Sequence, residues 1–283
     1  MAFALTALRL LPRNALSRGA GRFAALRLPR PLVRAEIAVF ARAVGVDLSE
    51  ARDPLDTFES LQAFFTRALR PGVRPIDLAP DALVAPCDGA WGESGAVRDG
   101  QLLQVKGRPY ALADLLDSKD DAAALEGGSF ATFYLAPRDY HRFHAPCDAR
   151  VARARYVPGS LWPVNRIGLD GVPGLFAQNE RISVALRVAA HESLWFVVAV
   201  GATLVGKIRL RFDGLQTNLP DARGEERHYA PEVPLAKGQE WGHFEFGSTL
   251  VLVAPRAALE LAARPVGTRL RLGERIGTIL PRV

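Results

Sequence analysis

The sequence predicts an α+β protein, with an amphipathic helical N-terminal region over residues 1–75 and a mainly β body over residues 76–283. Before Pro71, apolar side chains recur every three or four residues, which is typical of amphipathic helices. After it, short runs rich in Val, Ile and Phe alternate with Gly, Pro and Asp, as in strands and turns. The 283 residues, 49% of them hydrophobic, suffice for one large domain or two modest ones.

Two helices are predicted in the N-terminal region. The first covers residues 31–46, because a proline stands in its first turn, a glycine stands near its end, and its apolar residues share one face. That face carries Val33, Ile37, Phe40 and Val44. The second covers residues 56–69, where Asp56 and Glu59 form a cap-like pair. Its apolar side carries Phe58, Leu61, Phe65 and Leu69.

Short strands separated by turns are predicted throughout the body. Alternation is clearest at residues 207–212, where Ile208, Leu210 and Phe212 share one face and basic side chains occupy the other. Two stretches, residues 111–118 and 256–263, have a helical pattern instead. The other strand-like runs are residues 83–94, 129–137, 149–159, 180–188, 193–206, 248–255 and 273–280.

Positive charge is concentrated at the N-terminus. The net charge is +6, yet residues 1–35 hold seven arginines and no acidic residue, which leaves 29 basic and 30 acidic residues elsewhere. Because Leu, Ala and Phe are interleaved with these arginines, we expect a helix on an anionic membrane surface. A targeting peptide or an RNA-binding arm are the alternatives, but no apolar core with a cleavage site is evident, and the leucines argue against RNA. The apolar run at residues 193–206 is too short to span a bilayer.

The two cysteines, Cys87 and Cys147, are too few for a disulfide framework and have no C-x-x-C spacing. This usage indicates a reducing compartment. The sequence therefore predicts no zinc site built on thiolates.

A Gly-Ser-Thr sequence at residues 247–249 stands directly before the apolar run 250–253. Since glycine weakens a strand, one interpretation is a bulge or a tight turn. In the other, Ser248 is a nucleophile, and Gly247 leaves its own carbonyl open to attack. Such a hydroxyl needs a base and a carboxylate that orients the base.

His141 and His144 lie in a polar, aromatic segment after a strand-like run that ends at Pro137. Either imidazole suits a general base at neutral pH. Two alternatives stay open, a metal site at this H-x-x-H spacing and a histidine that merely holds the loop through a hydrogen bond. Asp88, in an Asp-Gly pair, is either the orienting carboxylate or a turn residue.

Three motifs together resemble the phosphatidylserine decarboxylases, pyruvoyl enzymes that are made as proenzymes. They are FGST at residues 246–249, YLAPRDYHRFHAP at residues 134–146 and APCDG at residues 85–89. The resemblance extends from about residue 35 to the end and includes FFTRALRPGVRPID at residues 64–77. Two departures are Phe246, where leucine is commoner, and Cys87, where a small residue is usual.

The resemblance implies that the chain cuts itself between Gly247 and Ser248. Ser248 would attack the Gly247 carbonyl, and the resulting ester would eliminate and hydrolyse to leave a covalent pyruvoyl cofactor derived from Ser248. Asp88, His144 and Ser248 match the family's triad, with His144 as base and Asp88 as its orienter. His141 matches the histidine assigned to the decarboxylation half. The implied assembly is a heterodimer of residues 1–247 and 248–283, or a pair of such heterodimers.

The implied reaction converts phosphatidylserine into phosphatidylethanolamine and CO2, without a metal. The partners are then the lipid and the membrane surface on its cytoplasmic side, and no nucleic acid is expected. Alternatives are a decarboxylase of a related serine lipid, a Ser-His-Asp lipid hydrolase that does not cleave itself, and a passive lipid-binding protein.

The lipid entrance is predicted at Leu161, Trp162, Leu175 and Phe176. His243 and Glu245 match no family role and are expected at the surface.

Overall fold

The structure, a computed structural model, describes a sheet-rich body that carries a helical N-terminal region. The described residues are 12–104, 107–189, 191, 194–203, 207–220, 223–245 and 249–281. The helices of the N-terminal region are α1 (Arg13–Ala24), α2 (Arg30–Val44) and α3 (Leu61–Phe65), with 3-10 turns at Leu48–Glu50 and Leu55–Thr57. The helices of the body are short, namely α4 (Leu112–Leu116), α5 (Lys119–Ala124), α6 (Arg166–Gly171) and α7 (Leu175–Gln178).

Helix α2 confirms the first predicted helix. A proline lies in its first turn, and Gly45 ends it in the left-handed conformation, with φ at 80°. Its buried residues, Val33, Ile37 and Ala41, pack against Phe58 and Phe64 in a small core of their own. This spacing of four residues is the amphipathic period that the sequence shows.

The second predicted helix is shorter than expected, and its proposed cap is wrong. Helix α3 begins after Ser60, whose Oγ accepts the N–H of Ala63 at 3.1 Å. Asp56 lies instead in a separate 3-10 turn. A serine at the N-cap position satisfies an amide that would otherwise lack a partner, so the helix starts at Leu61, five residues after Asp56.

Strands make up most of the body, as predicted. In chain order they are β1 (Ala82–Val84), β2 (Gly89–Ala96), β3 (Gln101–Gln104), β4 (Arg108–Ala111), β5 (Ser129–Tyr134), β6 (Arg142–His144), β7 (Ala149–Val157), β8 (Arg181–Val188), β9 (Trp195–Val200), β10 (Ile208–Leu210), β11 (Glu225–Leu235), β12 (Glu240–Phe244), β13 (Thr249–Ala254), β14 (Leu259–Leu261), β15 (Arg269–Leu270) and β16 (Arg275–Ile279). The fold class is therefore α+β with a mainly β body.

An eight-stranded antiparallel sheet dominates the body, with strand order β11-β7-β8-β9-β13-β5-β2-β15. Smaller sheets are formed by β1-β16-β14, by β10-β12-β6 and by β3-β4. Leu250 and Leu252 of β13 lie in one core cluster, together with residues of β6, β10 and β12. Val251 and Val253 lie in a second cluster with residues of α4 and α7. Strand β13 is thus buried on both faces, which explains its continuous apolar run.

The helix predicted at residues 256–263 is wrong. The chain turns there, with Ala257 in the left-handed conformation at a φ of 55°, and then forms β14, which pairs with β16. Leu259 is buried in the main core. Pairing and burial override the high helix propensity of the Ala and Leu residues in this stretch.

Two further findings concern the membrane and the cysteines. No helix among the described residues is both long enough and apolar enough to cross a bilayer. Cys87 and Cys147 are both buried and are free thiols. Burial raises the pKa of the Cys147 thiol to about 12, so it remains protonated at neutral pH.

Candidate active site

The Gly-Ser junction itself, Gly247 and Ser248, lies outside the described residues, but its two flanks are described. Thr249 opens β13 and pairs with Tyr134 on one side and Val200 on the other. Its hydroxyl is buried and has no hydrogen-bond partner among the described residues. Glu245, on the other flank, follows directly on β12. Both flanks are therefore anchored in sheets.

His144 is held as a neutral imidazole whose Nε2 carries the lone pair. It ends β6, and its Nδ1 lies 2.8 Å from the carbonyl oxygen of Gly238. A carbonyl can only accept, so Nδ1 must carry the proton. Nε2 is then an acceptor, which takes a hydrogen bond from the Tyr140 hydroxyl at 3.2 Å. Burial lowers the pKa of His144, which favours the neutral form further.

The Gly238 carbonyl is fixed by its surroundings. Gly238 has a φ of 75°, and a β-carbon added there would approach the side-chain carbons of Ile76 to between 2.9 and 3.3 Å. Its N–H donates to the carbonyl of Ala145, next to His144. A residue other than glycine would be strained at this φ and would press on Ile76. Gly238 was not predicted as a site residue, since a Lys-Gly pair signals only a turn.

Asp88 is bound by an arginine rather than by His144. Its carboxylate accepts Nε and Nη2 of Arg74 at 2.8 and 2.6 Å and the amide of Leu272 at 2.9 Å. No hydrogen bond joins it to His144 within the described chain. The structure therefore does not show the predicted hydrogen bond between Asp88 and His144. The Arg74 guanidinium and the Leu272 amide bind the Asp88 carboxylate instead. Whether Asp88 acts in the reaction stays a prediction.

Arg74 links Asp88 to the N-terminal region. Its Nη1 and Nη2 donate to the two carboxylate oxygens of Glu50 at 2.9 and 2.7 Å. The side chains of Arg74 and Asp88 are only 7% and 6% exposed, so the pair is largely desolvated. The Arg74 guanidinium lies between the two carboxylates and stabilises their negative charges, because water has little access to solvate them. This cluster lines a cavity together with Asp139, Tyr140 and other residues.

His141 is fully buried beside the N-terminal region. Its Nδ1 lies 2.8 Å from the carbonyl oxygen of Asp139, so Nδ1 carries the proton. Its ring lies 4.1 Å from the ring of Phe65 in α3, measured between centroids. Burial lowers the pKa of His141 to about 3, so the ring is neutral at physiological pH. Its Nε2 has no hydrogen-bond partner among the described residues and is therefore a free acceptor.

The residues without an assigned role, His243 and Glu245, are not simply surface residues. Glu245 is 5% exposed, and its carboxylate accepts Nε of Arg209 at 2.6 Å. Burial lowers the pKa of His243 to about 4, because the charged form loses its hydration. The expectation of surface exposure is thus wrong for Glu245.

The residues predicted at a lipid entrance are buried. Leu161, Trp162, Leu175 and Phe176 are between 0% and 7% exposed. Asn179 fixes this segment by accepting the amide of Trp162 and donating to its carbonyl. These side chains pack in the core and offer no open apolar path for a lipid.

No group of three or more His, Cys, Asp and Glu side chains in the described chain is placed to hold a metal ion. In His141 and His144, the pair with H-x-x-H spacing, Nδ1 donates a hydrogen bond to a backbone carbonyl. The carboxylates near them have other partners, namely Arg74 for Asp88 and the Ala136 amide for Asp139. Neither histidine is therefore grouped with two further ligands among the described residues.

Comparison with known proteins agrees with these motifs. The sequence profile of the phosphatidylserine decarboxylase family matches residues 61–278. The phosphatidylserine decarboxylase proenzyme of Anaeromyxobacter sp. (strain K) is 46% identical over 277 residues, covering 96% of this chain and 97% of that protein. The proenzymes of Acidovorax ebreus and Myxococcus xanthus are 45% and 37% identical, covering 94% and 96% of this chain and 93% and 96% of their own. The chain therefore belongs to the phosphatidylserine decarboxylase family.

Proposed function

We propose that this protein converts phosphatidylserine into phosphatidylethanolamine and CO2 with a pyruvoyl group that it makes from Ser248. The observation that supports this best is the protonation state of His144. Gly238 holds the proton on Nδ1 and leaves the Nε2 lone pair available as a base. His144 lies on β6, which pairs with β12, and β12 leads to the Gly-Ser junction.

Self-cleavage would begin when Nε2 of His144 takes the proton of the Ser248 hydroxyl. The oxygen then attacks the Gly247 carbonyl, the Gly247–Ser248 amide bond breaks, and an ester joins the two halves. Loss of the Ser248 α-proton expels the Gly247 carboxylate. Water finally replaces the nitrogen of the dehydroalanine that remains, which releases ammonia and leaves a pyruvoyl group on Thr249.

The residues present fit such a group at the start of the C-terminal fragment. Thr249 would hold it by an amide bond and is itself fixed between β5 and β9. The pyruvoyl group supplies a conjugated carbonyl that accepts the electron pair released with CO2. The fragment 248–283 contributes β13 to β16, and strands of the larger fragment pair with β13, β15 and β16. Each fully buried Leu or Val of β13 adds about 1.5–3 kcal/mol to this association.

His141 is the residue that we assign to proton handling during decarboxylation. Its neutral ring has one free acceptor, Nε2, and Phe65 fixes the ring plane from the side of α3. A neutral imidazole can accept a proton from a catalytic acid or hold a water that supplies one. Asp88 would act indirectly, through the ion pairs that Arg74 forms with Asp88 and Glu50.

We also propose that residues 1–75 associate with the cytoplasmic face of the membrane, while residues 76–283 form the self-cleaving body. The helices α1 and α2 and the segment between them expose large apolar side chains beside arginines. They are Leu16, Phe23, Leu26, Leu28, Leu32 and Val39. Apolar side chains inserted at the interface and cations near anionic headgroups both favour such binding.

Replacing Leu16, Phe23 and Leu28 by Gln should weaken binding to vesicles that contain phosphatidylserine by at least about tenfold, because burial of each side chain is lost. Co-sedimentation would measure the binding. The control replaces Leu78 and Val266, which are also exposed but lie in the body, and should bind normally. Equal losses in both variants would contradict an interface formed by the N-terminal region.

Intact-mass spectrometry tests the proposed function most directly. The wild-type protein should give two fragments that divide after Gly247, the smaller with a pyruvoyl mass at its N-terminus, and should release CO2 from phosphatidylserine. Ser248→Ala should give one uncut chain without activity. An uncut wild-type chain that reacts with fluorophosphonates would instead indicate a lipid hydrolase, and an inert one would indicate a lipid-binding protein.

A further inference from the structure

A cavity of about 260 Å³ lies between α1 and the body and is lined in part by Glu245. Five residues of α1 and its end line it, at positions 17, 18, 21, 22 and 25. These spacings of one and three place them on one helical face. Leu16 and Phe23, which are exposed, lie on the opposite face. Helix α1 therefore covers the cavity with one face and exposes apolar side chains on the opposite face.

Contacts at the start of α1 hold this helix against the body. Nη2 of Arg13 donates to the Ser160 hydroxyl at 2.9 Å, and the same guanidinium lies 3.6 Å from the ring centre of Trp162. The side-chain amide of Asn14 donates to the carbonyl of Gly159 at 2.9 Å. Helix α1 is thus joined to the body by specific polar bonds, so its arginines face the cavity from a defined position.

The cavity has excess positive charge. Arg18 and Arg22 line it from α1, and Lys207 and Arg209 line it from the body. Arg209 is paired with Glu245 at 2.6 Å. The side chains of the other three cations form no hydrogen bond or ion pair with any residue that the structure describes. Four cations and the Glu245 carboxylate line the cavity, and this excess of positive charge favours an anionic ligand.

A second carboxylate, that of Glu180, interacts with Arg18 and offsets part of this charge. Glu180 is 3% exposed, and its Oε1 accepts the Tyr156 hydroxyl and the Asn218 amide. Burial raises the pKa of Glu180, which makes its charged form less stable. The cavity therefore keeps an excess of positive charge, because four cations and only the carboxylate of Glu245 belong to its lining.

We infer that this cavity binds the phosphodiester of the phospholipid substrate, with Arg18, Arg22 and Lys207 as its ligands. The volume lies below the usual range for drug-sized ligands, so it suits a headgroup and not a whole lipid. Glu245 lines the cavity, and only three positions in the sequence separate it from Ser248, the residue proposed to give the pyruvoyl group. This inference rests on the proposed function.

The test uses short-chain phosphatidylserine below its micelle concentration, so that no membrane is present. The double variant Arg18→Gln with Arg22→Gln should raise KM about tenfold and leave kcat within about twofold, because two charge-assisted contacts to phosphate are lost. Lys207→Gln should raise KM about threefold. Glutamine has a similar helix propensity, so α1 should be retained. Intact mass would confirm that all variants are fully cleaved.

A control with the same change of charge replaces Arg34 and Arg42, which are exposed on α2, and should leave KM unchanged. An unchanged KM in the Arg18/Arg22 variant would overturn the inference, even if its activity on vesicles fell, because the arginines would then serve membrane attraction alone. Inorganic phosphate should compete with the lipid on the wild type and not on this variant. Phosphate binding without any change of KM would assign the cavity to free phosphate. A wild type that releases no CO2 would refute the proposed function itself.

Discussion

His144→Ala should be purified as a single uncut chain, because the base that activates Ser248 is then missing. General-base catalysis contributes roughly 10²- to 10⁴-fold, enough to turn complete maturation into none during purification. Gel electrophoresis and intact mass would measure the cut fraction over time. Among the candidate residues other than Ser248, which supplies the attacking oxygen itself, this substitution should have the largest effect on maturation.

Two further variants separate the roles of the groups that contact His144. Tyr140→Phe should still cleave, since Gly238 alone sets the Nδ1 proton and the Nε2 lone pair is only released. Gly238→Ala should cleave slowly, because the new β-carbon meets Ile76 and displaces the carbonyl. A Tyr140→Phe chain that stays as completely uncut as His144→Ala would show that Tyr140, and not Gly238, positions the base.

Arg74→Gln should lower the free energy of unfolding by about 3–5 kcal/mol, which is typical when one partner of a buried ion pair is removed. The carboxylates of Asp88 and Glu50 would lose their shared cation in a site that is largely closed to water. Urea denaturation on the Ser248→Ala background measures this on one continuous chain. The exposed pair Arg52–Asp53 provides the control, and Arg52→Gln should cost less than about 1 kcal/mol.

A double-mutant cycle would assign the loss to the buried ion pair. On an Asp88→Asn background, Arg74→Gln should cost clearly less than on the unchanged background, because one of the two charges is already absent. An equal cost in both backgrounds would show that Arg74 stabilises the fold through its packing. Maturation of the Arg74→Gln chain should also slow, since Asp88 would be free to move.

Much of the fold follows from local patterns in the sequence. Residues 250–253 predict β13 because an unbroken apolar run suits a strand that is buried on both faces. Residues 31–46 predict α2 because a proline, a glycine and a regular apolar spacing agree. Residues 256–263 predict a helix because their alanines favour one, but they form strand β14 instead. The pairing of β14 with β16 determines this, and it cannot be read from the local sequence.

The candidate site is predictable only in its residue types. His141 and His144 stand out in the sequence, but the carbonyl that sets the tautomer of His144 belongs to Gly238, 94 residues further along. Asp88 also stands out, whereas its partner Arg74 belongs to the N-terminal region and does not. Such pairings depend on how distant segments meet, and a single sequence contains no direct sign of them.

The position of β13 between β5 and β9 has a consequence for the life of the molecule. Once the chain is cut, the smaller piece can leave only if the large sheet opens, so the mature form persists as long as it stays folded. After unfolding, the two pieces would meet again only by diffusion, at a rate that depends on concentration. Folding must therefore come before cutting, and each mature molecule is the product of one folding event that it cannot readily repeat.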